Sequence, residues 1–182
     1  KNFHFATEDT FNEIKTSPRI FVAEFDFSNF FDSIPHEYLF KQLKSNNFNV
    51  SPIEDNIIRA FIENEDKTGI PLGTSISLFL ANVVCWKLDR ELEDVGVRFA
   101  RYADDTVIWT KNYDKISKAF DVIHKFSEES GIKINYKKSD GISLLKREEM
   151  SSEFSNHKEF IEFLGYKIST EHISIKESSV MI

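Results

Sequence analysis

The tetrapeptide Tyr102-Ala103-Asp104-Asp105 lies between two apolar runs, Val97 to Ala100 and Thr106 to Trp109. Adjacent carboxylates at the tip of a strand–turn–strand repel each other unless a multivalent cation neutralises them, so their natural occupant is a hard divalent ion such as Mg²⁺. A second acidic centre lies upstream, where the apolar run from Phe21 ends at Asp26. If that run is a strand pairing beside the hairpin, Asp26, Asp104 and Asp105 converge on one edge. Such a trio can hold two cations about 3.5–4 Å apart, the arrangement used for in-line phosphoryl displacement. Bound cations would lower the pKa of an attacking 3′-hydroxyl and neutralise the leaving pyrophosphate, so no side-chain nucleophile is needed. Taken alone, Asp26 would read as a turn or capping residue.

The elements that must position these residues follow from periodicity. Ile20 to Asp26 reads as a buried strand. Ser33-Ile34-Pro35 carries helix-start chemistry, and Tyr38, Leu39 and Leu43 give the next helix an apolar stripe. A helical patch at Ile53, Ile57, Ile58, Phe61 and Ile62 sits in the mixed, polar segment 46–68 and is free to pack on a neighbour. Gly69-Ile70-Pro71-Leu72-Gly73 is a loop leading into a long helix with Ile76, Leu80, Val83, Val84, Leu88 and Leu92 as core positions. After the 97–110 hairpin comes a helix with Ile116, Ala119, Phe120, Ile123 and Phe126 on one face, stopped by Gly131. Ile132 to Ile134 and Ile142 to Leu145 are candidate strands, and 160–168 with Ile173 and Ile175 suggests a closing hairpin. This order predicts an α+β fold, a ferredoxin-like βαββαβ core with an antiparallel sheet and helices on one face.

With 182 residues, 41% apolar content and 18 phenylalanines, one substantial core can form, and a single domain over 1–182 is expected. No apolar run approaches the roughly 20 residues of a membrane span, and the start shows no signal-peptide pattern. Without an initiator methionine, the chain reads as a piece of a larger cytoplasmic protein. Cys85 is the single cysteine, which excludes an internal disulfide or a thiolate zinc site, and its apolar helical setting predicts a buried thiol. His36, His124, His157 and His172 show no ligand spacing, and Trp86 and Trp109 read as core. The net charge of −7 is unusual for a nucleic-acid binder. Either several acids are metal ligands whose charge the ions cancel, or the basic surface lies elsewhere in the parent protein.

Five blocks in one order resemble the successive motifs of the bacterial reverse transcriptases found in group II introns, retrons, diversity-generating retroelements and abortive-infection systems. They are Phe25-Asp26-Phe27-Ser28-Asn29-Phe30-Phe31-Asp32-Ser33-Ile34, Gly69-Ile70-Pro71-Leu72-Gly73-Thr74-Ser75-Ile76-Ser77, Tyr102-Ala103-Asp104-Asp105, Asn135-Tyr136-Lys137-Lys138-Ser139 and Phe163-Leu164-Gly165-Tyr166. Together they span roughly residues 20–170. The resemblance implies a polymerase palm with residues 36–70 a remnant of the fingers, the upstream fingers and downstream thumb being absent. It implies an RNA-directed DNA polymerase that takes an RNA template, a DNA primer and dNTPs, the open sheet face receiving the nucleic acid. Two Mg²⁺ ions, replaceable by Mn²⁺, would sit on Asp26, Asp104, Asp105 and the Phe27 carbonyl. It also favours the second account of the net charge.

By the same resemblance, Phe31 would lie under the sugar of the incoming nucleotide and exclude a 2′-hydroxyl, with Phe30 packing inward. Backbone N–H groups of Asn29 and Phe30 would cradle the triphosphate. Gly73 would let main chain approach nucleotide and template, its bland alternative being helix-start punctuation. Lys138 matches a lysine that protonates the leaving pyrophosphate, with a solvated surface lysine as the rival account. Phe163-Leu164-Gly165 would hold the primer backbone. Leu72 departs from the commonest pattern, glutamine, and Leu78 stands where proline or glutamine is usual; leucine donates no hydrogen bond, which places template preference, and the need for a template, in question. That departure leans toward the diversity-generating and antiphage abortive-infection branches.

Three rival functions fit parts of the same pattern: a template-independent polymerase of the abortive-infection type, a cyclic-nucleotide synthase on a similar palm, and a non-catalytic nucleic-acid or protein scaffold. The Gly73 and Phe163 blocks oppose the synthase, and an intact Asp26, Asp104 and Asp105 set opposes the scaffold. The isolated 182 residues are expected to be weakly active or inactive. Mobility, phage defence and template diversification are not distinguished by these residues.

Overall fold

The computed structural model describes residues 8–176, apart from 9, 13, 16, 18, 47, 64, 65 and 148–153. The chain opens with β1 (Arg19–Phe25), α1 (Phe30–Ser33), α2 (His36–Ser45), α3 (Pro52–Ile62) and α4 (Ser75–Val95). There follow β2 (Arg98–Tyr102), β3 (Asp105–Thr110), α5 (Tyr113–Ser130) and β4 (Gly141–Lys146). It closes with β5 (His157–Lys158), β6 (Phe160–Phe163), β7 (Tyr166–Ser169) and β8 (Ile173–Ile175). Two compact units form, one of residues 1–26, 92–121 and 135–182, the other of 27–91 and 122–134.

In the first unit the strands run in the order β2-β3-β1-β4-β5, antiparallel except for β4 beside β5. A central β1 flanked by β3 and β4 is the ferredoxin-like arrangement that the order of elements predicts. Strand β1 is apolar on both faces because both are used. Phe21 and Phe25 point to one side, where their rings meet Tyr113 and Phe120 of α5 at 5.4 and 5.3 Å. On the other side Ile20 and Val22 join Val107, Trp109 and Leu145 against Ile161, Phe163 and Ile168 of the second sheet, β6-β7-β8. Each such fully buried side chain is worth about 1.5–3 kcal/mol. The sheet face expected to be open is therefore covered along its apolar half, and Glu24, Asp26 and Asp105 lie beyond that half.

In the second unit α2 packs through Tyr38 and Leu39, and the Tyr38 and Phe27 rings meet Phe126 at 6.2 and 5.4 Å. Helix α3 starts at a capping box: Ser51 Oγ accepts the Glu54 N–H, Glu54 accepts the Ser51 N–H, and Pro52 follows. Its apolar stripe is not packed as the helical patch suggests, since Ile53 is 73% and Ile57 56% exposed and Ile62 alone of the helix is buried. Along α4 the positions Leu80, Val83, Val84, Leu88 and Leu92 are buried as expected, whereas Ile76 and Trp86 are exposed. Trp109 and Cys85 are buried.

Two local expectations need correction. Ser33 does not cap α2; its Oγ donates to the Phe30 carbonyl within the one-turn α1, and Pro35 stands at the N-cap, its carbonyl accepting from Leu39. Residues 132–134 are not a strand, because the Phe27–Ile134 bridge stands alone.

Candidate active site

The site is built where β1, the β2–β3 turn and the 135–139 loop meet in the first unit. Phe25 pairs with Thr106 and Tyr102 with Asp105, so Asp26, one step past Phe25, comes level with Asp105 on the face that also carries Glu24 and Val107. Ala103 in the connecting turn has φ 54°, a left-handed conformation that costs a residue with a Cβ about 1–2 kcal/mol. The Arg101 guanidinium donates to the Ala103 carbonyl at 2.9 Å and braces that turn. The 135–139 loop is tied to Asp26 through its backbone: Asn135 N–H donates to the Asp26 carbonyl at 2.9 Å, and the Asp26 N–H donates to Ser139 Oγ at 3.3 Å.

Electrostatics within the group are those of crowded acids. Burial pushes the Asp104 carboxyl above the usual carboxylate range and the Asp26 charge adds to this, against backbone N–H donors and Lys138. Burial pushes Asp105 up to about 6, opposed by the Leu164 N–H donor and reinforced by the charges of Asp104, Asp26 and Glu24. Lys138 relieves part of this, its Nζ lying 2.6 Å from Asp26 Oδ2, and that contact raises the lysine pKa. Asp105 Oδ2 accepts from the Leu164 N–H at 3.2 Å, which joins the acidic turn to the Phe163-Leu164-Gly165 hairpin. An open cleft of about 920 Å³ has Asp26, Asp105, Lys138, Phe163, Leu164 and Gly165 in its walls.

Among the described residues no three His, Cys, Asp or Glu side chains are grouped as ligands of one metal ion. The donor chemistry still suits a hard divalent cation, since Asp26, Asp104 and Asp105 offer anionic oxygens alone and their mutual repulsion is met so far by a lysine ammonium. A metal taking Asp26 Oδ2 competes with the Lys138 ammonium for that oxygen.

The residues expected at the nucleotide lie in the second unit. Asn29 adopts φ 47°, ψ 47° ahead of α1. Phe30 is buried against Phe27, ring centroids 5.9 Å apart, while Phe31 is half-buried with its ring edge-on to Phe30 at 5.4 Å. The Ile70 N–H donates to the Phe31 carbonyl at 2.8 Å, so the loop after residue 68 is laid along α1. Leu72 is 66% exposed. At Gly73 a Cβ would meet no protein atom within 4 Å, and φ +87° is itself a conformation that calls for glycine.

Residue-by-residue reading missed Glu24, Asp140 and Lys158. Glu24 and Asp140 bind the Lys158 ammonium, with 2.8 Å to Asp140, and Glu24 Oε1 accepts the Glu162 N–H at 2.7 Å. A carboxylate two residues before Asp26 in an otherwise apolar strand was the available signal, because alternation puts both on one face.

Comparison with known proteins agrees with this geometry. A family described as reverse transcriptase (RNA-dependent DNA polymerase) matches residues 3–168. The retron Ec86 reverse transcriptase of Escherichia coli is 29% identical over 125 residues, covering 65% of this chain and 37% of the relative. The retron Ec83 enzyme of the same organism is 27% identical over 110 residues, covering 55% and 35%. This chain thus spans little more than a third of those relatives. Apo telomerase from Candida tropicalis, truncated from its C-terminal domain, superposes with TM-score 0.69 at 19% identity, over 97% of this chain and 40% of that one. Telomerase from Candida albicans in complex with a fragment of telomeric RNA gives 0.68 at 14% identity, over 99% and 34%. These two likenesses show the fold, and the family match covers most of the chain: it belongs to the reverse transcriptase family.

Proposed function

We propose that this chain is the palm of an RNA-directed DNA polymerase, adding deoxynucleotides to a primer 3′-hydroxyl on an RNA template. The observation that carries the reading is the register that brings Asp26 level with the Asp104–Asp105 turn on one sheet face, in a chain matched to the family over residues 3–168. The same reading assigns 1–182 to the palm and 36–70 to the fingers. Asp26, Asp104 and Asp105, with the Phe27 carbonyl, would hold Mg²⁺ or Mn²⁺. Such ions supply Lewis-acid activation of the primer hydroxyl and charge neutralisation at the pyrophosphate.

The chain's own residues do the rest. Lys138 stands beside Asp26 as an ammonium, the group that would give its Nζ proton to the leaving pyrophosphate. Phe31 excludes the 2′-hydroxyl, Asn29 and Phe30 offer N–H groups to the triphosphate, and Leu72 with Gly73 borders the nucleotide. Phe163, Leu164 and Gly165 steady the primer. RNA template, DNA primer and dNTPs are the partners; the two retron relatives are named as reverse transcriptases, in support of this. No helix among the described residues is long and apolar enough to cross a membrane, and a cytoplasmic location is part of the proposal.

Primer extension on RNA template with dNTPs and Mg²⁺ tests the reading, run beside Asp104→Asn and a template-free arm. Extension, even weak, that needs template and vanishes in the variant is expected. Product made equally without template would favour the template-independent reading, for which Leu72 is the motive. Extension that persists unchanged in Asp104→Asn would overturn the assignment.

A further inference from the structure

Strand β6 is an edge of the second sheet: it pairs with β7, and among the described residues no strand pairs with its outer side. In the two-residue hairpin Phe163 pairs with Tyr166, so alternation turns the N–H of Glu162 outward, and Leu164 in the turn does the same. Unpaired edge donors need acceptors. Both find a carboxylate from the first sheet: Glu162 N–H donates to Glu24 Oε1 at 2.7 Å and Leu164 N–H to Asp105 Oδ2 at 3.2 Å. The acceptors stand on the two strands that end at the candidate metal ligands, Glu24 two residues before Asp26 and Asp105 beside Asp104. Glu24 is itself held, because its second oxygen binds the Lys158 ammonium, which Asp140 also binds at 2.8 Å.

We infer that Glu24 is a positioning residue for the primer: by accepting the Glu162 N–H it fixes the 163–165 hairpin against β1, in register with Asp26. This rests on the proposed role of 163–165 in holding the primer. Glu24 has no part in the metal set, so its loss should act on primer binding and spare the chemical step. The acceptor oxygen for the Glu162 N–H matters most, so glutamine, which keeps one oxygen, should serve better than leucine, which keeps none.

The test compares Glu24→Leu, Glu24→Gln and Glu24→Leu combined with Lys158→Met, the last removing the ammonium that leucine would strand. Primer–template affinity is read by fluorescence anisotropy, extension at saturating primer by gel, and the Glu162 amide by hydrogen exchange. Glu24→Leu, alone or with Lys158→Met, should weaken primer–template affinity about tenfold and speed Glu162 exchange by a similar factor, with the saturated rate within about twofold. Glu24→Gln, which keeps an oxygen for the Glu162 N–H but turns its amide nitrogen toward Lys158, should lose clearly less than Glu24→Leu in affinity and in exchange. Unchanged primer affinity in Glu24→Leu, or equal losses in Glu24→Gln and Glu24→Leu, would overturn the inference while leaving the polymerase reading intact. A wild-type chain that neither binds nor extends primer would instead remove the role of 163–165, and the inference with it.

Discussion

Removing Lys138 should tighten divalent-metal binding while slowing catalysis. Its Nζ lies 2.6 Å from Asp26 Oδ2, yet its side chain is 68% exposed against 21% for Asp26, so water screens much of the attraction. Unscreened Coulomb attraction near an effective dielectric of 20 would exceed about 4 kcal/mol. Exposed pairs deliver only about 0.2–1 kcal/mol, and a largely buried Asp26 places this pair near the upper end. About 1 kcal/mol corresponds to a latched-to-open ratio near five, and a metal binding the open carboxylate has its apparent affinity reduced by about that factor. Lys138→Ala and Lys138→Met should therefore lower the Mn²⁺ or Mg²⁺ Kd by about fivefold in calorimetry at low salt, the gain shrinking as ionic strength rises. Lys138→Arg keeps the charge and should gain little. If Lys138 also gives a proton to pyrophosphate, the saturated extension rate falls by about 100-fold in the same variants. A Kd that is unchanged or weaker in Lys138→Ala would refute the latch, whatever happens to the rate.

Asp104→Asn should abolish measurable Mg²⁺ binding yet raise the Tm of the metal-free chain, because it removes a carboxylate whose charge burial and Asp26 both disfavour; calorimetry and a thermal melt read the two signs. Phe31→Ala should relax the preference for dNTPs over rNTPs by about tenfold or more, measured as the ratio of incorporation efficiencies. Ile161→Ala, in the fully buried contact between the two sheets, should cost about 2–5 kcal/mol in urea unfolding. Burial alone would lower the Lys158 pKa, but Asp140 and Glu24 outweigh it and hold the ammonium above its ordinary value. Its folded-state pKa being raised, the stability it adds is complete below a lysine's usual value of about 10.4 and is lost as pH climbs through the higher folded value; Lys158→Met should flatten that alkaline limb.

The strands were legible where a single period governs them. The apolar run into Asp26 and the hairpin around Ala103 needed no tertiary knowledge, and their pairing brought the acids level. Ser33 misled because a Ser-X-Pro triplet signals a helix start in isolation, while here the hydroxyl is taken by the carbonyl of Phe30 in a preceding turn. The stripe at Ile53 and Ile57 has helical spacing and forms a helix, but spacing says nothing of whether a partner covers it. Glycine at position 73 has a backbone reason as well, φ +87°, which its place in the motif does not announce. Lys138 was legible as a candidate but not as the partner of Asp26, because the 135–139 loop is brought there by bonds from the Asp26 main chain to the Asn135 N–H and the Ser139 hydroxyl, which spacing along the sequence does not encode.

Strand β1 shows why stability and chemistry are hard to separate in this unit. Its even positions run Ile20, Val22, Glu24, Asp26 along one face, a spacing of about 6.6 Å per step. The first two bury the β6–β8 sheet, the third accepts the edge amide of Glu162, and the fourth stands among the candidate metal ligands. One rigid strand thus fixes the distance between the packed sheet and the reacting end. A one-residue slip of β1 would send all four to the wrong face at once. Losing Val22 contacts should therefore reach the acids through the hairpin that Glu24 and Asp105 share.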